Sequence, residues 1–231
     1  MQITWFGHSA FRIDIDGAAM LIDPFLDNPT FKGDKAAAAR GATHVVLTHG
    51  HDDHVGSAVE ICRETGALLV ANPEVCDWLT GKGVARAEPF NHGGEIDLGA
   101  FRAACVPAWH SSSSTVDGVP VYLGNPGGVV ISAPGEKTLL HMGDTGIFEG
   151  MRLTAELFAP KIGIVPIGDR FTMGPKLAAL ACRRFFHFET VIPCHYGTFG
   201  LLHGQVEHFV AAMADARAAV LVPERDVPVT L

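Results

Sequence analysis

The first quarter of the chain alternates short apolar runs with turn residues. Ile3-Thr4-Trp5-Phe6, Phe11-Arg12-Ile13-Asp14-Ile15 and Ala19-Met20-Leu21-Ile22-Asp23 are divided by Gly7-His8-Ser9 and Asp16-Gly17. This is the pattern of consecutive strands, and Asp-Gly between alternating residues is a hairpin signal. Lys32 to Arg40 reads as a helix stopped by Gly41. His44-Val45-Val46-Leu47 reads as a buried strand. A helix is expected over Val55 to Thr65, with Asp52 or Asp53 as its cap and Gly66 as its end. Ala67 to Ala71 then returns as a strand.

The second half repeats the style. Val129 to Ser132 and Thr138 to Met142 read as paired strands joined at Pro134-Gly135. Ile162 to Pro166 is a strand, Lys176 to Phe186 a helix, Val191 to Pro193 a strand and Val206 to Ala219 a closing helix. Meanders come first in each half and strand–helix alternation follows, which predicts sheets flanked by helices. No low-complexity linker separates the halves, so residues 1–231 are expected to form one domain.

Composition narrows the functional classes. Hydrophobic residues make up 48% of the chain, enough for a substantial core, and the formal net charge is −8. The longest basic cluster is Arg183-Arg184, which argues against a nucleic-acid surface. Cys62, Cys76, Cys105, Cys182 and Cys194 are odd in number and widely spread, as expected of reduced thiols in a cytoplasmic protein. No signal peptide and no membrane-spanning run is read from the sequence.

The densest chemistry lies in Thr48-His49-Gly50-His51-Asp52-Asp53-His54, between the strand and the helix. His49 and His51 can turn both imidazoles toward one ion, while Asp53 and His54 lie past the bend, better placed for a second. Imidazole with carboxylate suits zinc, manganese or iron. Three further candidates end apolar runs: His110 before a run of serines, Asp144 in a glycine-rich turn, and His195 after Ile192-Pro193-Cys194.

With these residues in order, the sequence resembles the metallo-β-lactamase superfamily, whose pattern is His-x-His-x-Asp-His followed by a distant His, an Asp and a final His. Gly7-His8-Ser9-Ala10-Phe11, Leu21 to Phe25, Pro107 to Ser112, Tyr122 to Pro126 and Arg170 to Pro175 are similar to a branch of poorly characterised metal-dependent hydrolases. That branch is related to the lactonase that opens ascorbate-6-phosphate. The resemblance implies an α/β, four-layer αββα sandwich with the metal site at one edge of two sheets. It implies that His49, His51 and His110 hold one metal, that Asp53, His54 and His195 hold a second, and that Asp144 bridges them. Zinc leads as the cofactor, with manganese, iron or nickel as alternatives. Two such ions can share a hydroxide and stabilise attacking and leaving oxygens, and Asp53 is expected to relay a proton beside the bridging Asp144. Asp169 stands where the branch has glycine. Asp144 replaces a cysteine found in some lactam-cleaving relatives, which argues against an antibiotic-resistance enzyme.

The remaining candidates divide between support and substrate. Asp23 is expected to orient a ligating imidazole. His8 either faces the cleft or is a satisfied structural histidine. Asn125, Arg170 and Thr172 are candidate substrate contacts from the branch resemblance, and the serines from Ser111 to Ser114 are expected in a flexible loop. Cys194 should point into the core, opposite His195. His44, His92, His141, His187, His203 and His208 read as structural or surface residues.

The expected function is a hydrolase acting on a small, anionic ester or lactone, with a small-molecule substrate as its partner. A homo-oligomer is compatible with the sequence. A phosphodiesterase or RNA-processing nuclease would show a basic strip or a substrate-gripping arm, and neither is present. A flavodiiron oxidoreductase would carry a carboxylate in place of His51. A non-catalytic metal-binding regulatory protein would lack a ligand, whereas all seven positions are filled.

Overall fold

Strands β1 (Gln2–Trp5), β2 (Phe11–Ile15) and β3 (Ala18–Ile22) form an antiparallel meander in the computed structural model, which describes all 231 residues. The β2–β3 turn falls at Asp16-Gly17, as its sequence predicts, with Gly17 at φ +80°. Helix α1 (Lys35–Ala39) leads to β4 (His44–Val46), α2 (Asp52–Val55), α3 (Ala58–Thr65), β5 (Leu68–Ala71), α4 (Pro73–Thr80) and β6 (Ala87–Pro89). From β3 onward the pairing is parallel.

A second sheet repeats the plan. Strands β7 (Glu95–Asp97) and β8 (Arg102–Pro107) are followed by a separate hairpin, β9 (Ser113–Val116) and β10 (Val119–Tyr122). Then come β11 (Gly127–Ser132), β12 (Leu139–His141), α5 (Met151–Phe158), β13 (Ile162–Pro166), α6 (Pro175–Phe185), β14 (Thr190–Cys194), α7 (Glu207–Ala212), β15 (Ala219–Val220) and β16 (Val229–Thr230). The sheet orders are β16-β1-β2-β3-β4-β5-β6 and β15-β14-β13-β12-β11-β8-β7. Each sheet is antiparallel on one side and parallel on the other.

The side-chain pattern explains the layering. Ile3, Phe11, Ile13 and Met20 share one core with Ala103, Val129, Ile131 and Ile164 of the other sheet. The alternate residues Leu21, Val45 and Leu69 pack outward against Ala38, Ile61, Val75 and Leu79 of the first helical layer. Ala178, Ala181 and Phe185 of α6, with Met151 and Phe209, cover the second sheet. Strands β3 and β13 are buried along their whole length, as strands covered on both faces must be.

Several local expectations are corrected. Helix α1 begins at Lys35, because the Asp34 side chain accepts from the Ala37 N–H as its N-cap. The helix expected from Val55 is two helices, broken at Gly56 (φ +41°), where a Cβ would lie 2.5 Å from the Phe25 Cα. Asp52 and Asp53 sit in the first turn of α2; the N-cap is His51. The closing helix stops at Ala212, and Ala219 belongs to a strand. The serine run is ordered rather than loose, since Ser113 and Ser114 open β9. No helix is long and apolar enough to cross a membrane.

Candidate metal centre

The C-terminal ends of β3, β4, β8, β12 and β14 deliver Asp23, His49 to His54, His110, Asp144 and His195 to one edge of the two sheets. Glycines let the loops approach. A Cβ at Gly50 would lie 2.6 Å from Leu123, and one at Gly168 would lie 2.0 Å from the His195 carbonyl oxygen. The β9–β10 hairpin is tied to the loop from His49 to His54: Ser112 Oγ accepts from the Gly50 N–H at 3.0 Å, and Ser114 donates to Asp52 Oδ1 at 2.6 Å.

The seven expected ligands fall into two groups joined by Asp144. One ligand atom each from His49, His51 and His110 lies within 4.8 Å of the others, and the same holds for His8, Asp53, His54 and His195. His49 Nε2 and His51 Nδ1 are 2.9 Å apart. Asp144 reaches both groups, with Oδ2 at 2.9 Å from His195 Nε2 and 3.5 Å from His110 Nε2, and Oδ1 at 3.4 Å from His54 Nε2.

Buried polar atoms without partners test whether cations fit. Six such side-chain atoms occur, and His54 Nε2 and Asp144 Oδ1, 3.4 Å apart at the centre of the cluster, are among them. A buried polar atom left unpaired costs about 1–3 kcal/mol, so this concentration is expensive unless something else satisfies it. Nitrogen and carboxylate donors aimed at a common point suit divalent cations. The donor set therefore fits the metals the resemblance implies.

Asp23 is wholly buried beneath this cluster and accepts three hydrogen bonds. They come from the Thr48 N–H at 2.8 Å, the Thr48 hydroxyl at 2.7 Å and His54 Nδ1 at 2.8 Å. With Nδ1 donating to Asp23, His54 keeps its Nε2 lone pair for an ion. His8 is equally buried, with Nε2 3.1 Å from Asp53 Oδ2. His141 is buried behind Asp144, where its Nδ1 accepts from the Gly143 N–H at 3.1 Å and braces the turn. Thr48, Ser112 and Thr198 belong to this framework too, although sequence spacing did not single them out individually; only the adjacency of Thr48 to His49 hinted at a role.

The other candidates lie further out. Asn125 accepts from the Tyr122 hydroxyl at 3.0 Å, and the Thr172 hydroxyl has only a long 3.3 Å contact with the Met173 carbonyl. Arg170 is exposed over the Phe171 ring. Asp169 and Arg170 both have φ near +50°, at +58° and +48°. This is backbone that favours glycine, and it accounts for the glycine expected at 169. Cys194 is buried on the core side of β14, and burial raises its thiol well above the usual range.

Electrostatics favours neutral imidazoles around ionised carboxylates. Burial lowers His49, His51 and His110, with the neighbouring His54 adding to the effect. Burial also lowers His8, to about 4, against the opposing Asp53 hydrogen bond. Burial would raise Asp53 and Asp144, but the surrounding histidines outweigh it and hold both well below the usual carboxylate range. His54 is the exception: burial disfavours its cation, yet Asp144, Asp23 and Asp53 together raise it well above the ordinary histidine value.

A cation held by His54 would compete with the proton that these three carboxylates favour on its ring. Since the bound proton is the competitor, apparent metal affinity should fall as pH falls, by about tenfold per pH unit for one displaced proton. Calorimetric titration in buffers of different ionisation enthalpy measures the released proton. A binding heat independent of the buffer would contradict it.

Comparison with known proteins places the chain in a family. Residues 2–195 match the beta-lactamase superfamily domain family. The chain is 57% identical over 224 residues to the UPF0173 metal-dependent hydrolase of Methylocella silvestris, covering 96% of this chain and 97% of that protein. Igni18, a metallo hydrolase from the archaeon Ignicoccus hospitalis, superposes with a TM-score of 0.88 at 36% identity, covering 99% of this chain and 97% of that one. An isothiocyanate hydrolase from Delia radicum gut bacteria shares the fold, with a TM-score of 0.80 at 17% identity over 100% and 99% of the two chains. Two sheets flanked by helices, a donor cluster at their shared edge and relatives matched along nearly their whole length all lead to one family: this chain belongs to the metallo-β-lactamase superfamily, in its UPF0173 branch of metal-dependent hydrolases.

Proposed function

We propose that the chain is a dinuclear hydrolase that cleaves a small, negatively charged ester or lactone. The observation that carries the dinuclear part is the position of Asp144, whose carboxylate lies 2.9–3.5 Å from histidines of both donor groups. His49, His51 and His110 would hold one cation, and Asp53, His54 and His195 the other. Two divalent ions, with zinc the first choice, would supply Lewis-acid charge and lower the pKa of a shared water.

The chain's own groups do the positioning. Asp144, almost fully buried, holds the two donor groups together, while Asp53, with 34% of its side chain exposed, meets solvent at the mouth of the site. Asp23 and Thr48 fix the direction of the His54 and His49 rings. Arg170, exposed and free of any ion pair, follows the Gly168 contact with His195 by two residues and would supply a guanidinium to a substrate anion. The buried free cysteines are consistent with work in a reducing cytoplasm.

The test is hydrolysis by purified, metal-replete protein of a phosphodiester, a phosphomonoester, a carboxyl ester, a lactone and a thioester, with the His51→Ala protein as blank. Turnover of the carboxyl ester or lactone, absent from the blank, is the expected result. Turnover confined to the phosphodiester would replace this reading with the nuclease one.

A further inference from the structure

We infer that His8 is a positioning residue for Asp53: its Nε2–H donates to Asp53 Oδ2 and fixes the carboxylate, while Thr198 selects the tautomer that allows it. The role of Asp53 as a ligand to the second cation is taken from the dinuclear reading above.

The backbone around His8 is closely held. His8 has φ +50° and follows Gly7 at φ +92°, where a Cβ would lie 2.2 Å from the Thr30 hydroxyl. The His8 carbonyl accepts from the Trp5 indole N–H at 3.0 Å and from the His195 N–H at 3.1 Å. The β1–β2 loop is thus bonded directly to the backbone of a proposed metal ligand. The imidazole lies inside, 4.1 Å from the His195 ring and 5.4 Å from the Phe199 ring by centroid, with no exposed surface.

The tautomer follows from counting protons. Nδ1 lies 2.9 Å from Thr198 Oγ1, and Nε2 lies 3.1 Å from Asp53 Oδ2. A neutral ring carries one N–H. Were it on Nδ1, the Thr198 hydroxyl would need another acceptor, and the nearest, the Tyr196 carbonyl, is 3.4 Å away. That exceeds the roughly 2.5–3.0 Å of an O–H···O bond. The same arrangement would set the Nε2 lone pair against a carboxylate oxygen. With the proton on Nε2, Thr198 donates to Nδ1, Nε2 donates to Asp53, and both contacts are satisfied. Asp53 needs such a hold, since in its donor group only its side chain is partly exposed, while His8, His54 and His195 are buried.

Cobalt(II) titration of the wild-type protein, His8→Ala, His8→Gln, Thr198→Val and Thr198→Ser tests this, with thermal unfolding of each variant as the folding control. Loss of a group that orients a metal ligand typically costs about 10–100-fold in affinity. His8→Ala should lose that much for one equivalent and leave the other unchanged. His8→Gln should recover most of it, because its amide N–H can reach Asp53. Thr198→Ser should match wild type, with Thr198→Val between. Should His8→Ala not fold, His8→Gln and Thr198→Val carry the test, together with 15N spectra of labelled histidine, in which His8 should be protonated at Nε2.

Unchanged affinity in His8→Ala, or an Nδ1-protonated ring, would overturn the inference. A His8→Gln protein as weak as His8→Ala would also overturn it, because it would make His8 a ligand rather than a donor. Binding of a single equivalent by wild type would instead sink the dinuclear reading. The Ala-against-Gln comparison would then still decide the role of His8 at the remaining site.

Discussion

Asp144→Ala is expected to abolish turnover and to leave less than one tightly held metal per chain, because it removes a carboxylate whose oxygens adjoin both donor groups. Its oxygens lie within 3.5 Å of His54, His110 and His195, and the side chain is almost wholly buried. No neighbouring oxygen can take its place, since Asp23 is occupied with Thr48 and His54. The loss should exceed the roughly 10–100-fold that follows removal of a mere supporting partner. His51→Ala should behave similarly in activity but retain more metal, because only the His49 and His110 group loses a donor. Metal content by atomic emission, read beside activity, checks both. Full occupancy in both variants would sink the ligand assignment.

How much of this arrangement the sequence carries depends on the range of the interaction. The strands and the Asp16-Gly17 hairpin are legible because their signals, alternation and a turn dipeptide, are local. The break at Gly56 is not legible from its neighbours. It depends on Phe25, whose backbone occupies the space a Cβ would need, and that contact spans the fold. The early end of α7 and the short strand at Ala219 are likewise set by pairing with Thr190. The histidine-rich loop is dense enough to read directly, but the link from Thr198 through His8 to Asp53 joins three distant parts of the chain. No spacing rule reaches across 190 residues, so a hydroxyl such as Thr198 stays invisible until the loops meet.

Asp23→Asn tests how the buried framework governs the metal, and it separates affinity from stability. The asparagine carbonyl can still accept from the Thr48 N–H, so most of the local fold should survive. Its amide group, however, would present an N–H to His54 Nδ1, where Asp23 now accepts at 2.8 Å. To avoid two donors facing each other, a neutral His54 ring must turn Nδ1 into an acceptor and carry its proton on Nε2. That nitrogen is the unpartnered one directed at Asp144, 3.4 Å from Oδ1. A protonated Nε2 cannot ligate, so metal affinity should drop by at least the roughly 10–100-fold attributed to supporting contacts. Asp23→Ala differs in kind. It leaves the Thr48 N–H, the Thr48 hydroxyl and His54 Nδ1 without their acceptor, at about 1–3 kcal/mol for each buried group. That variant should therefore lose stability as well as metal. Denaturant unfolding of the metal-free proteins, compared with metal titration of the folded ones, distinguishes the two. An Asp23→Asn protein that binds metal like wild type would show that the tautomer of His54 is not set from below.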